Sequence, residues 1–303
     1  RQSSQRNFKL TTAVINPPHL DYRRWMRCCL LFLVCFASIL SAGAHTPVLY
    51  SSSPIGFVRG STPELHLYGK HLTKAKKVLF YHEGITAGDP VIHDTKHVSF
   101  PLVVSADCAL GEHPIRLHCA DGVTYQRTIW VTPFPVTKET EDANDSVENA
   151  QEISLNSCVR GLTKKEDVDF YKVRMKKGQR LSIELFAMRL GKSFFDAHLS
   201  VFDPSHRAIA SSDDTALSKQ DPYLSIIAQA DGFYYLAVRE ASYEGSDKSR
   251  YLLNVGDFLL PAAVFPPAAK PNEETSFTFV NDDGSQHLQK FSPSLGHIYA
   301  EDK

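Results

Sequence analysis

Catalytic signatures are missing from this chain of 303 residues. It has no G-x-S-x-G elbow, no phosphate-binding glycine loop and no dinucleotide glycine pattern, so three large enzyme classes lack their carrying residues. The stretch "YHEGI" (81–85) begins as a zinc-protease motif does, but position 86 is Thr where the second His would stand. His82 and Glu83 then read as a surface pair. No long stretch repeats with the 3.6-residue period of an amphipathic helix, which excludes a helical bundle. Cysteine is sparse, with 6 in all, and no Cys spacing matches a zinc site. Charge of one sign is lacking too: 33 Lys and Arg stand against 34 Asp and Glu. That balance offers no electrostatic footprint for nucleic acid.

What is present begins with a targeting pattern. In "MRCCLLFLVCFASILSAGAH" (26–45), Arg27 follows Arg23 and Arg24, an apolar run extends from Cys28 to Leu40, and Ala42-Gly43-Ala44 supplies small residues for cleavage. This order reads as a secretory signal, and the run is shorter than the ~20 residues of a membrane span. Residues 1–25 read as an upstream extension, 26–44 as the signal peptide, and the mature protein as starting at His45. Residues 1–44 carry six basic residues and one acid, so the remainder holds 33 − 6 = 27 basic against 34 − 1 = 33 acidic, a net of −6. Export predicts a secreted, periplasmic or cell-surface protein with no stable membrane span. It also permits a disulfide between Cys108 and Cys119. Three small, partly buried thiols, Cys158 included, fit the sequence equally.

Short apolar or alternating runs dominate the rest: "ELHLY" (64–68), "VLFY" (78–81), "VSFPLVV" (98–104), "PIRLHC" (114–119) and "TYQRTIWV" (124–131), then "DFYKVRM" (169–175), "RLSIELF" (180–186), "AHLSVFD" (197–203), "YLSIIA" (223–228), "FYYLAVRE" (233–240) and "YLLNVG" (251–256). Turn residues separate them at hairpin spacing, the pattern of an all-β protein built from β-sandwiches. In "RLSIELF", Leu181, Ile183 and Leu185 share one face and Ser182 and Glu184 the other, predicting a sheet with one wet side. Between the two groups lies "TPFPVTKETEDANDS", acidic and Pro-containing, which reads as a domain boundary near Pro133–Asp142. Sandwiches are expected over 45–135 and 136–258. An ungapped alignment of "PIGFVRGSTPELHLYG" (54–69) with "PPAAKPNEETSFTFVN" (266–281) pairs Pro54 with Pro266, Leu65 and Leu67 with Phe277 and Phe279, and Gly69 with Asn281. It predicts a further β module opening in 259–303. That segment is too short to close a sandwich, so the chain reads as a piece of a longer protein.

Two resemblances refine this. "SPIGFVRGSTPELHLYGKHLTKAKKVLFY" makes residues 46–134 similar to an IPT/TIG-type immunoglobulin-like module. "ETEDAND", "GLTKKEDVDFYKVRMKKGQRLSIEL", "FFDAHLSVFDPSHRAIASSDDT" and "DGFYYLAVRE" make residues 138–258 resemble the bacterial pre-peptidase C-terminal domain. The order of modules is similar to that of large secreted proteins of planctomycete-type bacteria. The resemblances imply an Ig-like sandwich followed by a jelly-roll-like one, of a kind appended to secreted enzymes or present in non-catalytic surface proteins. Related collagenase domains bind collagen and calcium. Carried onto this chain, their calcium pattern falls on Glu139, Glu141, Asn144 and Asp145, completed by Asp167 and Asp169. Asp142 and Ala143 depart from it, standing where the family has Pro and Asn. The same stretch also reads as a solvated connector, with Asp145 or Ser146 capping a short helical turn.

Other constellations are weaker. Asp213, Asp214 and Asp221 suggest paired carboxylates or a solvated loop. Tyr234, Tyr235, Tyr243 and Tyr251 suggest an aromatic binding face or half-buried strand residues. Seven His lie between His66 and His118 without a repeated spacing. Asn144-Asp145-Ser146 has the form of a glycosylation acceptor. The expected function is an exported, non-catalytic binding or spacer module whose partner is an extracellular protein or polysaccharide. The alternative is an accessory region of a larger secreted hydrolase.

Overall fold

The computed structural model describes residues 46–292, apart from 141, 142, 192, 216, 217 and 219. The signal-peptide reading of 26–44 and the extension at 1–25 lie outside the described residues. Among these, no helix is long and apolar enough to cross a membrane. The chain is all-β. Its first strands are β1 (Val48–Ser53), β2 (Gly56–Val58), β3 (Glu64–Lys70), β4 (Ala75–Phe80), β5 (Ile85–Ala87), β6 (Val91–Ile92), β7 (His97–Val104), β8 (Gly111–Cys119), β9 (Gly122–Val123) and β10 (Arg127–Thr132). One sheet runs β1-β3-β7-β5, with β6 also on β7, and a second runs β2-β10-β8-β4, with β9 on β8. Alternation decides which side chains enter the core between them. Leu65 and Leu67 of β3, Val98 and Phe100 of β7, and Ile115 and Leu117 of β8 are wholly buried.

A second pair of sheets follows. Its strands are β11 (Val136–Lys138), β12 (Gln151–Ile153), β13 (Ser157–Leu162), β14 (Val168–Met175), β15 (Arg180–Phe186), β16 (Ala197–Phe202), β17 (Ala208–Ser212), β18 (Tyr223–Ile227), β19 (Gly232–Glu240) and β20 (Arg250–Gly256). The orders are β11-β13-β20-β15-β18 and β12-β14-β19-β16-β17. Between them lies a core of Val159, Tyr171, Val173, Ile183, Leu199, Leu236, Leu253 and neighbours.

The strands β21 (Pro261–Phe265), β22 (Thr275–Asn281) and β23 (Gln286–Phe291) form a separate three-stranded sheet. The alignment of 54–69 with 266–281, an offset of 266 − 54 = 212, reappears in its register. Ser53 faces His66, Ser52 faces Leu67 and Leu49 faces Gly69. Phe265 faces Thr278, Val264 faces Phe279 and Pro261 faces Asn281, each pair shifted by that same offset. Even the bulge recurs, between Leu49 and Ser51 in one and between Pro261 and Ala263 in the other. The prolyl bonds Ser53–Pro54 and Phe265–Pro266 are both cis. Past this point the paths diverge: β22 turns directly into β23, whereas β3 waits for β7.

The wet face expected on "RLSIELF" is not wet. Ser182 is wholly buried, and Phe186 and the Glu184 carboxylate are nearly so. On this outer side of the sheet, Phe186, Leu190, Cys158 and Leu252 join Ile55 and Trp130 of the first sandwich in one apolar cluster. Trp130 and Phe186 have ring centroids 4.7 Å apart. Thr132 Oγ1 donates to Asn254 Oδ1 at 3.2 Å across the same contact. Strict alternation therefore sends both faces of β15 into cores, one inside the sandwich and one between sandwiches. Cys108, Cys119 and Cys158 are buried and form no disulfide. Burial pushes the Cys119 thiol up to about 11 and that of Cys158 up to about 12, leaving both protonated.

Candidate functional site

The acidic stretch is not a loose connector. The link between the sandwiches is only the segment from Pro133 to Pro135, between β10 and β11. Residues 138–140 and 143–150 instead lie between one sheet of the second sandwich and the other. At one end β11 pairs parallel with β13, and at the other β12 pairs parallel with β14. Backbone and side-chain bonds hold the crossing: Phe170 N donates to Asn144 O at 2.7 Å, Glu139 N to Arg160 O at 3.1 Å, and Thr140 N to Gln151 Oε1 at 2.8 Å. Asn149 N and Ala150 N close turns onto Ser146 O and Val147 O, so this is a turn and not a helix.

The crossing brings Glu139 and Asn144 down onto β14, where all three of Glu139, Asn144 and Asp169 are buried. Leu162 N donates to both Glu139 oxygens at 2.9 Å. Tyr251 Oη donates to Asp169 Oδ2 at 2.7 Å and lies 3.3 Å from Glu139 Oε2 and 2.5 Å from Tyr171 Oη. Thr163 Oγ1 approaches Asp169 Oδ2, and Asn144 Nδ2 approaches Asp169 Oδ1, each at 3.4 Å. Asn144 Oδ1 is buried with no hydrogen-bond partner among the described residues. Burial, and then the neighbouring Glu139, push the Asp169 carboxyl up to about 8. Removing water from a carboxylate and placing a second one beside it both favour the protonated form.

Not all of the expected ligands meet here. Asp167 precedes β14 rather than sharing a strand face with Asp169, and its carboxylate accepts from Lys164 N at 3.0 Å inside the turn. It still adds to the field that raises Asp169. Asp145 is exposed. Glu141 lies outside the described residues. The carboxylates brought together, Glu139 and Asp169, are the hard oxygen type that calcium takes, while the atom of Asn144 that faces Asp169 is its amide nitrogen. The orphaned Asn144 Oδ1 fits the same group, because a buried amide oxygen without a donor is suited to a cation. Burial of Asn144 also removes it as a glycosylation acceptor.

Tyr171, Tyr251 and Thr163 are the parts that sequence reasoning missed. Tyr171 carried a signal, because it stands two residues after Asp169 and so shares its strand face. Tyr251 arrives from β20 in the opposite sheet, beside Gly161 of β13. A side chain on Gly161 would run into the Tyr251 ring. The proposed aromatic face does not form: Tyr234 and Tyr251 are interior, while Tyr243 is exposed. Asp221 is likewise separated in role from Asp213 and Asp214. It is buried against Arg189 Nε at 2.7 Å, whereas the exposed Asp213 and Asp214 group with Asp196. His82 and Glu83 are exposed in a turn. Three of the seven histidines do converge, His66, His93 and His97, on the outer face of β3 and β7. Burial and the other two imidazoles hold His97 below the usual histidine value.

No curated protein matches the chain. Solved structures similar to it include the pre-peptidase C-terminal domain of a Bacillus anthracis collagenase, at 18% identity, covering 37% of this chain and 99% of that one, with a TM-score of 0.29. Another is PliG of Aeromonas hydrophila, a periplasmic inhibitor of g-type lysozyme, at 17% identity, covering 35% and 96%, with a TM-score of 0.27. A third is SGBP-B from the mixed-linkage glucan utilization locus of Bacteroides ovatus, at 11% identity, covering 69% and 74%, with a TM-score of 0.25. Residues 167–240, from the turn before β14 to the end of β19, match the bacterial pre-peptidase C-terminal domain.

Proposed function

We propose that this chain is an exported, non-catalytic β-sandwich protein that works as a binding or spacer module outside the cytoplasm, with calcium held at Glu139, Asn144 and Asp169. An IPT/TIG-type module would form its first sandwich. The observation that carries this reading is the buried Glu139–Asp169 pair beneath the acidic crossing, with the Asn144 amide oxygen left unmatched beside it. Glu141, Asp167 and Asp145 stand near in sequence to extend the ligand set toward the 6–8 oxygens calcium prefers. Calcium would add positive charge beside these carboxylates and fix the crossing against both sheets. The partner class that suits such a module is an extracellular protein or polysaccharide. The match to a pre-peptidase domain favours a second reading, in which the chain is the accessory part of a larger secreted hydrolase. The length of the natural open reading frame discriminates the two.

Calorimetric titration of the chain with calcium tests the site. Binding should raise the melting temperature with free calcium, by an amount equivalent to about 2.7 kcal/mol at a hundredfold excess over the dissociation constant. Asp169→Ala should abolish both the heat and the shift. Absence of heat and of any shift at millimolar calcium would leave only a hydrogen-bonded crossing.

A further inference from the structure

The histidines that the sequence scattered without a repeated spacing are gathered by strand register. On β3, Glu64, His66 and Tyr68 point away from the core, opposite the buried Leu65 and Leu67. The pairing of β3 with β7 sets His66 against Ser99 and Tyr68 against His97. His93 follows β6, which pairs with the same stretch of β7, and a tight turn bonds His93 N to His97 O at 3.1 Å. One ring nitrogen from each of His66, His93 and His97 therefore lies within 4.8 Å of the others.

The geometry points to a second metal site, a three-histidine centre of His66, His93 and His97 for a divalent transition-metal cation such as zinc. His66 Nδ1 and His97 Nε2 share a hydrogen bond at 3.1 Å, the contact an ion would replace. Two ligands about 2.0–2.1 Å from one zinc at a tetrahedral angle sit about 3.3 Å apart, so these nitrogens already have the separation a shared ion imposes. The surroundings supply the outer contacts that such ligands use. The other His66 nitrogen, Nε2, lies 3.7 Å from Glu64 Oε2, within ion-pair reach and short of a hydrogen bond, so a small approach would give the carboxylate–histidine arrangement that orients a ligating imidazole. His93 Nε2 is 2.8 Å from the Oγ of Ser99, a residue with no exposed surface. Tyr68 stacks on His97 with centroids 4.5 Å apart and steadies that ring. His93, exposed on its turn, stacks on His97 with ring centroids 4.1 Å apart, and would have to turn about its side-chain bonds to aim a nitrogen at a shared ion. Three imidazoles leave one position of a tetrahedral ion for water. Imidazole donors select zinc, copper or nickel over calcium, so this site is independent of the acidic one.

The test is calorimetric titration of the whole chain with zinc, alongside the visible absorption of bound cobalt. Wild type should take up one equivalent at this site and give the intense bands of tetrahedral cobalt. Glu64→Gln should weaken zinc about tenfold, and His66→Ala and His97→Ala by more than that. Asp169→Asn should leave zinc binding unchanged, which separates this inference from the calcium reading. All of these side chains except that of Asp169 face outward, so circular dichroism should report an intact fold. A folded His66→Ala/His97→Ala double variant that binds zinc as wild type does would overturn the assignment, as would wild type that binds none.

Discussion

At the residue scale, Asp169 couples stability to pH with an unusual sign. Its carboxyl titrates near 8 in the fold against 3.8 in an unfolded chain. Between those values the folded state holds a proton that the unfolded state has lost. Stability from this group is therefore greatest at the acid end of the window and falls as pH rises, by at most about 1.4 kcal/mol per unit. Asp169→Asn removes the dependence. In chelator, the variant should be more stable than wild type above pH 8, and the two should converge toward pH 4; urea midpoints across that range are the measurement. If wild type does not lose ground against the variant as pH rises, the buried carboxyl is ionised throughout. Because proton and cation compete for the same oxygens, calcium affinity should rise with pH. The acidic part of this site was legible, since Glu139 and Asn144 lie in a stretch, 139–158, without Lys or Arg, and the acids Asp167 and Asp169 recur just before the strand run "FYKV". Its hydroxyl part was not, because Tyr251 lies 251 − 169 = 82 positions away and only sheet pairing brings it close.

At the element scale, the short 3₁₀ turn Met188–Leu190 depends on one side chain. Asp221 accepts from Met188 N at 2.6 Å, from Arg189 N at 3.2 Å and from Arg189 Nε at 2.7 Å, while Arg189 also bonds Glu184 Oε1 at 2.9 Å. The Arg189 guanidinium lies over the Phe186 ring, centred 4.2 Å away, and so holds the ring that meets Trp130. Removing a carboxylate that caps a backbone turn and balances a buried guanidinium is costly. Asp221→Ala should lose about 2–4 kcal/mol in urea unfolding, less than a fully buried pair because Arg189 keeps Glu184 and some solvent. The sequence put Asp221 in a loop with Asp213 and Asp214, since spacing carries no sign of a partner 221 − 189 = 32 positions away. Strands were far more legible. Runs such as "ELHLY", "RLSIELF" and "FYYLAVRE" fall within β3, β15 and β19 because side chains on a two-sided surface must alternate. Among those missed, β1 "VLYSSS", β13 "SCVRGL" and β17 "AIASS" contain Ser or Gly. Their conformation comes from the ladder they join, not from their own preference.

At the scale of the whole molecule, the expectation of two separable sandwiches meets an apolar contact. Trp130→Ala should remove the largest ring from that contact, at a cost of about 3 kcal/mol. Differential scanning calorimetry should show wild type melting in one transition and the variant in two, the sandwiches uncoupled. One transition in both would mean that the three-residue link alone couples them. The same contact region has a mechanical consequence. Val136 of β11 pairs with Cys158 of β13, and Cys158 pairs with Asn254 of β20. The strand that enters the second sandwich and the strand that leaves it thus begin and end at the same end of one sheet, with β13 between them, and the flanking rings of Phe134 and Phe258 are 5.9 Å apart. Tension along the chain would pass across that end, from the first sandwich to β21, without travelling through the body between. The second sandwich hangs from the chain as a pendant and adds about two strand spacings, roughly 10 Å, to its reach. Its loss would hardly shorten the line.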